Sequence, residues 1–381
     1  MSEKKVSSKK KEKPGKVTQA IIFIKNKILD IKPLNLVFII FLISIIAGWL
    51  ILCMPFCYKN NISALDNLFT STSAVTTTGL VTISVGSNYT FWGQIVILFL
   101  IQFGGICFMT FSSFVILSRN KRFTKTKNNF SKMIFSLPED LILTNFVKNI
   151  VAFTLIIEFI GTIALFFIFY YSNMEHSLWN AVFHSVSAFC TAGFSLFDNS
   201  LENFHNNFWL NIVISILSIS GAIGFIVFAD LWRRIRGKVS HITVTSKIVI
   251  RTIIILLIVS TAVIYLTNPI SKKVPAIDRL LSSFFQSMSA ITTLGLSTFN
   301  VGSLSKSTII IITFLMIIGA SPSGTGGGIK STTLTALIAI VKSVIRGRDK
   351  TYFMGTTVPE RRLRTAIAIF AFYLLVILLG T

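Results

Sequence analysis

"FTSTSAVTTTGL", residues 69–80, lies between two long apolar runs and returns twice, as "FHSVSAFCTAGF" from Phe183 and "FQSMSAITTLGL" from Phe285. The offsets are 114 and 102 residues, and the shared pattern is F-x-S-x-S-A-x-[TC]-T-x-G-[LF]. One Ser/Thr/Gly-rich stretch between helices would be read as a plain loop. Three with one pattern describe a repeated architectural unit.

The surroundings of the repeats set the solvent. The 381 residues are 52% hydrophobic and only 13% charged, against about 25% charged in soluble domains. Seven stretches are apolar over the roughly 20 residues that a helix needs to cross hydrocarbon: 34–56, 92–117, 145–171, 208–231, 248–267, 307–343 and 362–380. The net charge of +22 would raise nucleic acid as a partner of a soluble protein, but here Lys and Arg alternate with the spans. Of 36, 30 fall in the tail to residue 32 and in segments 118–148, 232–251 and 342–364. Positive charge collects on the cytoplasmic side, so the N-terminus and these segments are expected inside a multi-pass protein, with membrane lipid as the surrounding partner and no nucleic acid. The tail to residue 16 reads as a solvated charge run, and "VTQAIIFIKNKILDI" (17–31) as an amphipathic helix on the inner surface.

Cys53, Cys57, Cys107 and Cys190 lie in or beside apolar runs without a CxxC spacing, so buried thiols are expected, and no metal site. His176, His184, His205 and His241 are scattered and carry no assigned role. With no paired carboxylates and no His/Ser/Cys constellation recurring at one depth, the chain does not read as an enzyme.

Each repeat begins with an apolar segment too short to cross: 64–75, 178–189 and 278–291. Such lengths fit re-entrant half-helices. Non-helical backbone at membrane depth is tolerated only where protein buries it or water lines it, so the segments after the half-helices are expected on an aqueous axis. A bare cation in a low-dielectric interior would cost on the order of 20 kcal/mol. A ring of backbone carbonyls, with half-helix C-termini aimed inward, offsets that cost. The candidate ion-contacting residues are Thr76, Thr77, Thr78 and Gly79; Cys190, Thr191, Ala192 and Gly193; Thr292, Thr293, Leu294 and Gly295. Glycine at the last place of each quartet frees the backbone to turn its carbonyls.

The pattern resembles the Trk/Ktr/HKT superfamily of potassium transporters, and within it the Ktr-type (KtrB-like) membrane subunits. The likeness extends to "QFGGICFMTF" (102–111) and "SGAIGFIVFADL" (220–231), and covers the chain from about residue 35. It implies an all-α integral membrane protein of span, pore-helix, span repeats in pseudo-fourfold arrangement around one pore, with Gly79, Gly193 and Gly295 as filter glycines. A glycine in the first repeat is similar to the potassium-accepting members. Implied with it are potassium or sodium as transported ion, a homodimer in the cell membrane, and a cytosolic (KtrA/TrkA-like) ring that alone would bind nucleotide.

"IGASPSGTGGGIKSTT" (318–333) is the most specific stretch. Its five glycines and one proline would cost a continuous helix about 8 kcal/mol against alanine, so the helix must break. A Walker loop does not fit, because Ile329 separates Gly328 from Lys330. A packing kink remains open. The resemblance implies a gate loop beneath the filter, carried by Gly319, Ser321, Pro322, Gly324, Thr325, Gly326, Gly327, Gly328 and Lys330, with Lys330 facing the inner cavity or reaching the cytoplasm. Glu158, an acid within a span, is expected to face the bundle interior, beside an ion or a buried polar partner. Asp230 reads as a structural charge partner.

The organisation expected is therefore a basic cytoplasmic tail (1–33), pore repeat 1 (34–117), a cytoplasmic loop (118–144), pore repeat 2 (145–231), a cytoplasmic loop (232–247), pore repeat 3 with its second helix broken at 319–329 (248–343), a cytoplasmic loop (344–361) and the first span of an incomplete fourth repeat (362–381). A further step of the shorter offset falls beyond Thr381. The chain thus reads as an incomplete member of its class, and a non-conducting assembly or regulatory protein of the same family is the alternative.

Overall fold

A computed structural model describes residues 33–123, 143–237, 239–267, 275–347, 350–353 and 356–380. The amphipathic helix expected at 17–31 lies outside them. The chain divides into two units at Ser44/Ile45, inside the first helix. The described part of the first unit is the opening of that helix, where the Ser44 hydroxyl donates to Ile40 O at 2.8 Å.

The described elements are helical apart from a two-residue hairpin. Besides single turns such as Val85–Asn88, they are α1 (Pro33–Leu52), α2 (Ala64–Val75), α3 (Phe91–Phe123), α4 (Leu143–Tyr171), α5 (Ser177–Phe189), α6 (Phe208–Ile223), α7 (Phe225–Ile235), α8 (Val244–Thr267), α9 (Ala276–Thr292), α10 (Lys306–Ile318), α11 (Ser331–Ile345), the strands β1 (Tyr352–Phe353) and β2 (Thr356–Thr357), and α12 (Glu360–Gly380). Tyr352 pairs with Thr357 and Phe353 with Thr356, antiparallel.

Three short helices each follow a longer one. The short helices α2, α5 and α9 have 12, 13 and 17 residues; at 1.5 Å per residue none covers the roughly 30 Å of a hydrocarbon core. Local chemistry sets their starts: Ser63 caps α2 by accepting from Asp66 N at 3.1 Å, while Asp66 sits in the first turn, where the helix dipole favours an anion. α10 starts in the same way, with Ser305 accepting from Thr308 N at 3.1 Å. The outer faces of α4 and α8 leave Ile156, Phe159, Ile255 and Ile258 exposed, as a hydrocarbon solvent permits. The faces turned inward pack tightly. A Cβ on Gly104 of α3 would lie 2.0 Å from Val75 O, and one on Gly221 of α6 would lie 1.8 Å from Phe189 O. Glycine lets these following helices close directly onto the last carbonyls of α2 and α5.

The stretch 208–231, expected as one continuous span, is two helices bent by 97° at Gly224. Gly224 has φ 80° and ψ 165°. A Cβ there would sit 2.2 Å from Ser323 O, and a Cβ on Gly324 would sit 1.9 Å from Ala222 O. The broken segment of the third repeat packs directly against this bend. Asp230, expected as a charge partner, instead accepts the Thr243 backbone N–H at 2.7 Å, just ahead of α8.

Candidate functional site

α2, α5 and α9 end alike. The N–H of Thr77, Thr191 and Thr293 reaches Ala74 O, Ala188 O and Ala290 O at 3.2, 3.1 and 3.2 Å; the next N–H, of Thr78, Ala192 and Leu294, reaches Ser73 O, Ser187 O and Ser289 O at 2.9, 2.8 and 2.9 Å. This is a Schellman termination, which places one residue in the left-handed region, usually glycine. Here it is threonine: Thr77, Thr191 and Thr293 have φ of 51°, 50° and 56°. Each threonine hydroxyl donates back to the carbonyl before it, at 2.8, 2.8 and 2.7 Å. Two residues on, Gly79, Gly193 and Gly295 have φ of 81°, 73° and 83°.

The three segments converge. A Cβ on Gly79 would lie 2.4 Å from Ala192 O and 2.9 Å from Gly193 Cα, and a Cβ on Gly193 would lie 2.4 Å from Leu294 O and 3.3 Å from Gly79 Cα. One on Gly295 would lie 3.9 Å from Gly193 Cα. Segments more than 100 residues apart in sequence thus meet glycine to glycine, with Ala192 and Leu294 turning carbonyl oxygens toward the neighbouring glycine. Cys190 is buried, with its thiol donating to Glu158 Oε1 at 3.8 Å. Glu158 therefore stands behind the second segment with a polar partner, and its own carbonyl takes the Ser185 hydroxyl at 2.7 Å.

The sequence motif contains props whose roles spacing alone did not reveal. The second serine of F-x-S-x-S-A reaches past the glycine: Ser187 donates to Phe194 O at 2.7 Å and Ser289 to Leu296 O at 2.6 Å. The matching Ser73 hydroxyl is buried with no partner among the described residues. Further out, both Ser84 and Ser87 donate to Asp198 Oδ1, tying the loop of the first repeat to the exit of the second. These two hydroxyls, Ser84 first, hold the Asp198 carboxyl below its ordinary range. Ser297 joins the second repeat by accepting from Leu201 N at 3.0 Å and donating its own N–H to Ser200 Oγ at 3.1 Å.

The glycine-rich stretch separates α10 from α11 and runs against two of the segments. Gly319 (φ 58°) and Gly328 (φ 70°) open and close the break. Between them Ser321 N donates to Ala222 O at 3.1 Å and Thr325 N to Gly221 O at 3.0 Å. The Thr325 hydroxyl donates to Phe189 O at 3.2 Å and lies 3.1 Å from Thr191 Oγ1. Gly327 N donates to Thr293 Oγ1 at 2.7 Å. Gly324 and Gly326 pack on the backbone of Ala222 and Thr292, and Pro322 lies between Ser321 and Ser323 on the same stretch. Lys330 folds back on the stretch: its ammonium donates to Gly326 O, lies 3.5 Å from Gly327 O and stands 5.2 Å from the Phe108 ring centre. Carbonyls that the helix break strands are thereby paired.

Chemically, the site offers backbone oxygens, hydroxyls and helix C-termini around one point. Among the described residues no group of three or more His, Cys, Asp or Glu side chains gathers, and the four cysteines are free thiols. The family described as "TrkH: Cation transport protein" matches residues 55–381. The Ktr system potassium uptake protein B of Bacillus subtilis is 30% identical over 346 residues, which is 89% of this chain and 77% of that protein. The potassium/sodium uptake protein NtpJ of Enterococcus hirae is 31% identical over 346 residues, 89% of this chain and 76% of its own length. In fold, the crystal structure of the potassium transporter TrkH from Vibrio parahaemolyticus superposes with a TM-score of 0.72 at 20% identity, over 91% of this chain and 70% of the other.

Proposed function

This chain belongs to the TrkH family of cation transport proteins, membrane transporters and not enzymes, and we propose that it takes up potassium by passing the bare ion through a ring of main-chain oxygens. The observation that carries this reading is the meeting of Gly79, Gly193 and Gly295, each two residues beyond a left-handed threonine. Alternating a left-handed residue, an ordinary one and a left-handed glycine turns successive carbonyls to one side, which is what replacing a hydration shell requires. The C-termini of α2, α5 and α9 end at the same place and add partial negative charge. The stretch from Gly319 to Lys330 acts as the gate: it lies against two of the three segments and is held there by single hydrogen bonds that can break one at a time. Sodium is a second candidate ion, as the name of the NtpJ relative admits. The protein works in the cell membrane with its N-terminus and basic segments inside, as a homodimer, and those segments dock a cytosolic nucleotide-binding ring.

Growth of potassium-uptake-deficient cells on limiting potassium tests the reading. The chain is expected to restore growth, and Gly193→Ser to abolish rescue or shift it toward sodium, because φ of 73° and the 2.4 Å approach to Leu294 O leave no room for a side chain. Rescue that is indifferent to Gly193→Ser overturns the filter.

A further inference from the structure

His184 fills the second place of F-x-S-x-S-A in its repeat and is fully buried, at 0% exposure. Its ring stacks on Phe197 with centroids 4.7 Å apart and planes 20° apart, with Phe169 packed alongside at 5.8 Å. Nδ1 is 2.8 Å from Asn180 O. A carbonyl only accepts, so Nδ1 carries the proton and the neutral ring presents Nε2 as an acceptor. Nε2 lies 3.1 Å from Ser195 Oγ. The Ser195 hydroxyl therefore donates to the imidazole while accepting Phe197 N–H at 2.9 Å. Ser195 stands two residues past Gly193.

The third repeat makes the same link from different atoms. Gln286, in the same place of the motif, donates from Nε2 to Ser297 Oγ at 3.2 Å, and Ser297 stands two residues past Gly295 while accepting Phe299 N–H at 3.2 Å. The first repeat has Thr70 and Val81 at these two places, and Val81 has no hydroxyl to make the link. Two unlike side chains converging on one serine position argue that the link is what is held, while the side chain that makes it is free to vary.

We propose that His184 is a positioning residue that fixes the outer end of the second glycine segment through Ser195, as Gln286 does for the third through Ser297, and thereby sets cation affinity at the outer mouth. The proposal rests on the filter reading above. A buried hydrogen bond to the segment stiffens what it touches, and carbonyls can tell one ion from another only while their spacing is held.

The test is concentration-dependent rubidium uptake by the full-length protein in potassium-uptake-deficient cells, with its membrane abundance measured by immunoblot. Ser195→Ala and His184→Leu are expected to raise the KM about fivefold, the worth of one hydrogen bond, at unchanged maximal rate per protein. His184→Gln places the donor of the third repeat opposite Ser195 and is expected to keep the parent's KM. An unchanged KM in Ser195→Ala overturns the proposal, as does a His184→Gln that behaves like His184→Leu. If His184→Leu does not reach the membrane, Ser195→Ala and His184→Gln decide. Gly193→Ser in the same cells separates the two readings: uptake sensitive to Gly193→Ser but not to Ser195→Ala removes the brace alone, and uptake indifferent to Gly193→Ser removes the filter as well.

Discussion

Thr77, Thr191 and Thr293 occupy a backbone region that costs a residue with a Cβ about 1–2 kcal/mol. Three such residues at one position of a repeat point to a shape worth that cost. The hydroxyl earns the threonine its place by returning a bond to the preceding carbonyl, and in Thr293 it also accepts Gly327 N–H. Thr293→Val keeps the shape and deletes both bonds. It is expected to lower stability by about 1–3 kcal/mol, read as a fall in thermal midpoint in detergent, and to raise basal ion leak by freeing the loop at Gly327. Asp198 makes a different prediction, in pH. Its folded-state pKa is depressed below the ordinary 3.8 by the Ser84 and Ser87 hydroxyls. Its contribution is therefore present above the ordinary value and lost as pH falls through the lower one. The difference in thermal midpoint between the parent and Asp198→Ala is expected to stay constant from about pH 8 to pH 5 and to shrink only in stronger acid.

At the level of elements, the short helices were legible in the sequence because the length of an apolar segment speaks locally. The apolar segments at 64–75, 178–189 and 278–291 correspond to Ala64–Val75, Ser177–Phe189 and Ala276–Thr292. The break after Ile318 was legible too, since five glycines and a proline leave a helix no alternative. Gly224 was not: one glycine in an apolar run costs a helix only about 1 kcal/mol, and what packs against the 97° turn is Ser323, a hundred residues from Ile223. His184 escaped for a related reason. The motif keeps its place variable, as threonine, histidine or glutamine, and only contact with Ser195 gives it meaning. Gly224→Ala is expected to place a methyl group against Ser323 O and to strain a residue at φ 80°. The backbone alone costs about 1–2 kcal/mol; displacement of the loop should appear as altered uptake at normal membrane abundance.

Over the whole set of repeats the hydrogen bonding is unequal. The second and third are joined above the glycines, through Ser200, Leu201 and Ser297, and below them, through the loop bonded near Thr191 and at Thr293. Both also have the serine prop, which the first lacks. Equivalent substitutions should therefore have unequal effects. Ser187→Ala and Ser289→Ala are each expected to cost about 1–3 kcal/mol by stranding Phe194 O and Leu296 O, and Ser73→Ala to cost almost nothing; thermal unfolding of the three variants side by side measures the difference.

The segment at Gly79 is stiffened chiefly from within, by the Thr76 and Thr78 hydroxyls 2.7 Å apart. When several walls press on one guest, the softest wall does the yielding. If the three segments form the proposed filter, a cation of the wrong radius would be met first by give in this one segment, and discrimination between ions would rest on the two braced sides.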